Sequence, residues 1–398
     1  MELSALPELD VFAAEYAERP LDAIDAVRPL GPVARSSRGI ELLSHAACFD
    51  MLREPQLTVA FAKMFATSGI TEGRAYDVFA LNGLMAANPA DHARMRKVLA
   101  PFFAPAEVES LRPLASALAT EWLRDALEAD RCDMAAFVGH RLPPSLFCRM
   151  IGAPSDDVPR LTNFSQTMNQ VFHFDRERRD EIEAAFADGE AYMLDLIERR
   201  AARPGDDLIS LMIAAEARGE LTRDEVVNIA INILGGSTDG TNASMCMVFI
   251  ALAEHPDQWR LLKQQPALLR SAIQEARRVR SAVLSITRIP PEEIELCGVT
   301  IPEDVAIVAN VLGANLDPEA FERPRQMDIA RKSKTPFLNF GLGHHFYVGQ
   351  FVAMLVLEET LRAALTLWSE FSVDGVPTFR GAPYPLLVEQ AAFRFVPQ

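Results

Sequence analysis

The chain has 398 residues, of which 49% are hydrophobic, enough to bury a large core. Its 39 basic and 55 acidic residues leave a net charge of −16, which argues against a general nucleic-acid binder, since such a protein needs a basic footprint. No apolar run reaches the roughly 18 residues of a membrane span, and the start, MELSALPELD, lacks the basic and then apolar pattern of a signal peptide. The expectation is a soluble cytoplasmic protein. The five cysteines, at 48, 132, 148, 246 and 297, are widely spaced and form no CxxC pair, and the histidines form no HExxH pair. A disulfide framework and the usual zinc sites are therefore not expected, and the cysteines read as small buried hydrophobes.

Taken in chain order, the first clear helix start is Asn88-Pro89, an N-cap followed by a first-turn proline. The helix it opens carries His92 and Arg96 one turn apart, so both can face one group. Leu111, Leu114, Leu118 and Trp122 form an apolar stripe on a second helix. Thr222-Arg-Asp-Glu225 fits a capping box, and the apolar pattern that follows runs to Glu254 before His255-Pro256. This predicts a helix long enough to cross a domain. Its middle, Leu234-Gly-Gly-Ser-Thr-Asp-Gly-Thr241, holds three glycines, each costing about 1 kcal/mol relative to alanine. Two explanations are open: close approach of a flat ligand, or close packing or kinking of the helix.

Glu275-Ala-Arg-Arg278 places an acid and a base on one helix face. Arg288 follows, then β-branched residues with turns over 294–311, and then Phe340-Gly-Leu-Gly-His-His-Phe-Tyr-Val-Gly349 before another apolar helix. The segment from about 371 reads as strand and loop. The sum is a mainly α protein with a small β part, near 35–60, 290–312 and 371–398, in one domain over residues 1–398.

From about residue 30 onward, this order of motifs resembles the cytochrome P-450 family of haem-thiolate monooxygenases. The resemblance implies a triangular helical domain with a long central helix. It also implies haem b, oxidation of a small hydrophobic organic substrate in secondary metabolism, and a ferredoxin-type electron donor. Glu275 and Arg278 match the family's ExxR pair, whose role is structural. His92, Arg96, Arg288 and His345 match the cations that hold the haem propionates, a task that suits guanidinium groups because they donate paired hydrogen bonds. Phe340 and Gly349 bound the haem loop, and Gly235 and Gly236 lie on the helix over the haem. Asp239 matches the family's acid. Gly240 then stands where a threonine is usual, and Thr241 lies one residue further on, about 100° around the helix. Phe61, Phe65, Phe79 and Leu84, with 282–286, are candidates for the pocket wall or equally for ordinary core.

The family loop reads Phe-Gly-x-Gly-x-His-x-Cys-x-Gly, and here the Cys position is Tyr347. Three readings stay open. Tyr347 is the iron ligand, favouring ferric iron and a peroxide-driven route. Alternatively, its longer side chain displaces the cofactor, leaving a haem-free protein of this fold. Some family-like proteins of antibiotic biosynthesis lack the Cys and assist glycosyltransferases. In the third reading, tyrosine is an exchanged residue in an otherwise ordinary monooxygenase. The departures continue in the following helix, with Gln350 where a small residue is common and Met354 where arginine is common.

Overall fold

The computed structural model describes residues 2–59, 61–67, 69–128, 131–173, 176–380 and 386–398. Most are helical, with several short strands. Among them no helix is long and apolar enough to cross a membrane, and no group of three His, Cys, Asp or Glu is arranged to hold a metal ion. The chain forms two compact units. One comprises Met1–Ala60, Ala243–Tyr347 and Glu370–Glu389; the other comprises Phe61–Asn242, Val348–Ser369 and Gln390–Gln398.

The first unit is built on a five-stranded sheet in the order Val33–Ser36, Gly39–Leu42, Ile307–Asn310, Ser285–Ile289, Thr58–Val59. Only the Gly39–Leu42 and Ile307–Asn310 pairing is parallel. Gly39, at φ +138°, makes that pairing possible, because a Cβ there would lie 2.2 Å from the Ala306 carbonyl oxygen. Leu42, Cys48, Met51, Leu57, Ile307 and Leu338 pack as the apolar core of this unit. The β-branched stretch expected at 294–311 forms three strands, Ile294–Leu296, Val299–Ile301 and Ile307–Asn310. It turns helical at Val311, where the Asn310 side chain caps the Gly313 N–H. Four of the five cysteines are buried as expected. Cys297 is exposed, because it sits at positive φ (+52°) in the turn between the first two of those strands.

ExxR lies in this unit, on the helix Leu269–Val279. Both members are buried. Arg278 donates to the two Glu275 oxygens at 2.8 Å each and to the carbonyls of Asn315, Pro324 and Gln326. Glu275 also accepts from Arg331 Nε at 2.9 Å and from the Asp328 N–H at 3.0 Å. Burial alone would raise the Glu275 carboxyl, but these donors outweigh it and hold the pKa below the usual value. The pair pins the segment from Asn315 to Arg331, the structural role expected of it.

The second unit is a helical assembly. It includes Pro89–Leu99, Arg112–Glu128, Val158–Asn169, Arg179–Ala202, Gln350–Leu367 and the helix Arg223–Glu254 as far as Asn242. Both predicted helix starts are present. Asn88 Oδ1 accepts from the N–H groups of Ala90 and Asp91. The Thr222 hydroxyl accepts from the Glu225 N–H while the Glu225 carboxylate accepts from the Thr222 N–H. The long helix ends at Glu254, as its proline signal predicts. The stripe Leu111, Leu114, Leu118, Trp122 is displaced. Leu111, Leu114 and Leu118 are only half-buried, and the buried face is Ala115, Ala119, Trp122, Leu123 and Ala126. Arg112 supplies the reason, because it ties this helix to the buried Glu358 and Glu359 of Gln350–Leu367. Small side chains then fill the close-packed face.

Candidate active site

The predicted site residues fall into two sets, one in each unit. In the first unit, Phe340-Gly-Leu-Gly-His-His-Phe-Tyr347 forms a tight loop. Gly341 and Gly343 adopt φ +68° and +69°, and a Cβ on Gly343 would meet the Leu52 carbonyl oxygen at 2.7 Å. Both positions therefore require glycine. The Tyr347 N–H donates to the Phe340 carbonyl at 3.0 Å, and the two rings stack with centroids 5.9 Å apart and planes 11° apart. The Arg277 guanidinium lies 3.9 Å over the Phe340 ring, a cation–π contact on the same stack. Burial pushes the Tyr347 phenol up to about 12, so a neutral phenol is the ground state of the loop at pH 7.

Strand Ser285–Ile289 flanks the loop. A Cβ on Gly341 would touch Ile286 Cδ1 at 3.6 Å, and burial together with the Arg288 charge depresses the pKa of His344. His344 and His345 have ring centroids 4.3 Å apart. Arg288 is 6% exposed. Its Nη1 donates to the Thr287 carbonyl at 2.9 Å, it has no carboxylate partner among the described residues, and burial pushes its pKa down to about 10.

In the second unit, His92 is buried on the helix Pro89–Leu99 and Arg96 is half-buried one turn on. Arg96, like Arg288, has no carboxylate partner among the described residues, and burial lowers its pKa. Arg94 behaves differently. It is clamped by Asp91 and Glu225, so it joins two helices rather than forming a free basic surface. The glycines of the long helix divide between the two explanations left open by the sequence. Gly235 packs closely: a Cβ there would lie 3.3 Å from both Asn169 Oδ1 and Phe79 Cζ. Gly236 and Gly240, one turn apart on one face, are exposed, and a Cβ on either would meet nothing within 4 Å. Gly349 is the N-cap of Gln350–Leu367.

Asp239 is half-buried between these glycines, and desolvation raises its pKa to about 6 against a lowering hydrogen bond from Asn169. Thr241 is buried at 6% exposure. Phe61, Phe65, Phe79 and Phe186 form a chain of stacked and edge-on contacts. Phe65, Phe79 and Leu84 are fully within the apolar core, which accounts for them by packing alone.

A family model described as "Cytochrome P450" matches residues 59–377. The chain belongs to the cytochrome P450 family. It is 28% identical to luteothin monooxygenase of Streptomyces thioluteus over 94% of this chain and 92% of that protein. It is 32% identical to 6-deoxyerythronolide B hydroxylase of Saccharopolyspora erythraea over 69% and 68%. Among solved structures, CalO2 matches with a TM-score of 0.91 at 24% identity, covering 98% of this chain and 100% of that one. Epothilone B-bound P450epoK matches at 0.89 and 22%, covering 97% and 99%. At these identities the two structures establish the P450 fold.

P450 proteins carry haem, an apolar plate with two anionic propionates, and the residues here fit such a group. Arg96 and Arg288 are desolvated cations without a protein anion among the described residues. Each lacks the compensation that a buried charge requires, which a carboxylate group would supply. The open face at Gly236 and Gly240 suits a flat apolar neighbour. What sequence reasoning missed is the second polar layer, Ser165, Asn169 and Thr238. Each is an ordinary helical polar residue, and only their burial marks them.

Proposed function

We propose that this P450 oxidises a small hydrophobic organic molecule of secondary metabolism, that Arg96, His92, Arg288 and His345 are the cations that would hold haem, and that Tyr347 takes the place of the family's ligand cysteine. The observation that carries the reading is the pair of desolvated guanidiniums, half-buried Arg96 and buried Arg288, each without a carboxylate partner among the described residues. Haem, when bound, supplies the redox chemistry of oxygen insertion. The chain's own residues do the rest. The two arginines and two histidines would pair with the propionates, the open Gly236 and Gly240 face would leave room for the plate, and Asp239, with its pKa raised to about 6, takes up and releases a proton just below neutral pH. Tyr347 presents a hard oxygen donor where the family presents a soft thiolate, which favours a peroxide-driven route. A ferredoxin-type donor is the partner if electrons arrive from outside.

A second reading, a haem-free P450-fold protein that assists a partner enzyme such as a glycosyltransferase, is favoured by one observation. Tyr347 fills its loop by stacking on Phe340 under Arg277. The absorption spectrum separates the two, recorded on the protein as isolated and after addition of hemin. The proposal expects a Soret band and a carbon monoxide complex without thiolate character. It also expects Tyr347→Cys to restore that character. No Soret band after hemin addition overturns the haem reading in favour of the second.

A further inference from the structure

The Asp239 carboxyl has one hydrogen-bond partner among the described residues, and that partner comes from another helix. Asn169 ends the helix Val158–Asn169 and is 5% exposed. Its Nδ2 donates to Asp239 Oδ2 at 2.8 Å and to the Gly235 carbonyl at 3.0 Å, with Ser165 Oγ further off at 3.5 Å. An amide nitrogen has two hydrogens, and here both of the shorter bonds fall on one turn of the long helix, at residues four apart. One turn earlier on the helix of Asn169, the Ser165 hydroxyl pairs with the Thr238 hydroxyl and also donates to the Leu234 carbonyl at 3.3 Å. Ser165 and Thr238 are both fully buried. The result is a two-rung polar clamp, with the Ser165–Thr238 rung buried and the Asn169–Asp239 rung half-buried. Such a network has to be satisfied throughout, since a buried polar group left unpaired is expensive.

The clamp also explains Gly235. Asn169 Oδ1 would lie 3.3 Å from a Cβ at position 235, and Phe79 closes in from the same distance. Glycine there leaves room for the Asn169 amide to lie against the helix backbone.

We propose that Asn169 is a positioning residue for Asp239, anchoring Oδ2 so that Oδ1 remains the oxygen that takes up and releases the proton, and that Gly235 is glycine in order to admit it. The inference rests on the reading of Asp239 as the acid of the site. Its geometry requires no bound cofactor, so it can be tested separately from that reading.

The experiment is a carboxyl-carbon NMR titration of aspartate-labelled full-length protein, with the Asp239 signal assigned by its loss in Asp239→Asn. Asn169→Leu removes the donor that favours the charged form. The Asp239 midpoint should rise from about 6 by about one unit, the scale of one hydrogen bond to a charged group. Asn169→Asp replaces the donor with a second carboxyl and should raise it further. Gly235→Ala, which adds one methyl and keeps Asn169, should shift it in the same direction. The double variant with Asn169→Leu should rise no further than Asn169→Leu alone, because both changes break one contact. Should either Asn169 variant fail to fold by circular dichroism, Gly235→Ala decides. An unchanged Asp239 midpoint in a folded Asn169→Leu or Gly235→Ala protein overturns the proposal. Hemin binding measured on the same samples reports on the haem reading: failure to take up hemin with the predicted titration shifts sinks that reading alone.

Discussion

Arg278 and Arg288 lie ten positions apart in the same unit, both buried, yet their surroundings are opposite. Arg278 is answered by the Glu275 carboxylate and three backbone carbonyls. Arg288 has one carbonyl, that of its neighbour Thr287, and no carboxylate among the described residues. Taking a guanidinium out of water requires compensation. Where the protein supplies it, the charge fixes structure. Where it does not, the charge is best explained by an anion that arrives from outside. Arg96 repeats the second pattern in the other unit.

The comparison predicts opposite responses to loss of each charge. Arg278→Ala leaves Glu275 buried with less compensation and strips donors from three carbonyls. It should cost about 3–5 kcal/mol in urea unfolding, a large fraction of a typical stability of about 5–15 kcal/mol. Arg288→Ala removes a charge that the protein does not satisfy. It should leave the stability of the hemin-free protein unchanged or raised, while weakening hemin retention by roughly ten-fold or more. A large loss of stability in Arg288→Ala without hemin would break the contrast.

Asp239 extends the comparison to an acid. Its folded pKa of about 6 lies above the ordinary carboxyl value, so the folded state binds the proton more tightly than the unfolded chain. That linkage stabilises the fold when the pH lies below the unfolded pKa, and the advantage is lost as pH rises to the folded value near 6. Asp239→Asn should therefore raise stability at pH 7 by about 2 kcal/mol and give no comparable gain at pH 4. Equal gains at both values would show that the carboxyl is not desolvated. The smallest effect expected is at the displaced stripe. Leu118→Ala, at a half-buried position, should cost about 1 kcal/mol, less than Leu123→Ala on the fully buried face, which should cost about 2–3 kcal/mol.

Much of this architecture is legible because its signals are local. The Asn88 and Thr222 caps need only neighbours within three residues, so both helix starts could be read directly. The ExxR pair and the loop glycines were legible as a motif, and Gly341 and Gly343 carry the positive φ that only glycine adopts easily. The apolar face of Arg112–Glu128 was misplaced by leucine content, since the packed face uses alanines and the leucines stand half out. No local signal marks the ion pair that joins Arg94 to Glu225, 131 positions away.

By itself the sequence determined the capped helix starts, the long helix and its end, the β-branched stretch at 294–311 and the family, because caps, prolines, glycines and hydrophobic period act over a few residues. Only the tertiary structure decided which glycine is packed and which is open. It also decided which buried arginine is satisfied, and that Asn169 reaches Asp239 across 70 positions. Desolvation is the physical reason, because the cost of a charge or the room beside a glycine depends on which distant groups the fold brings against it.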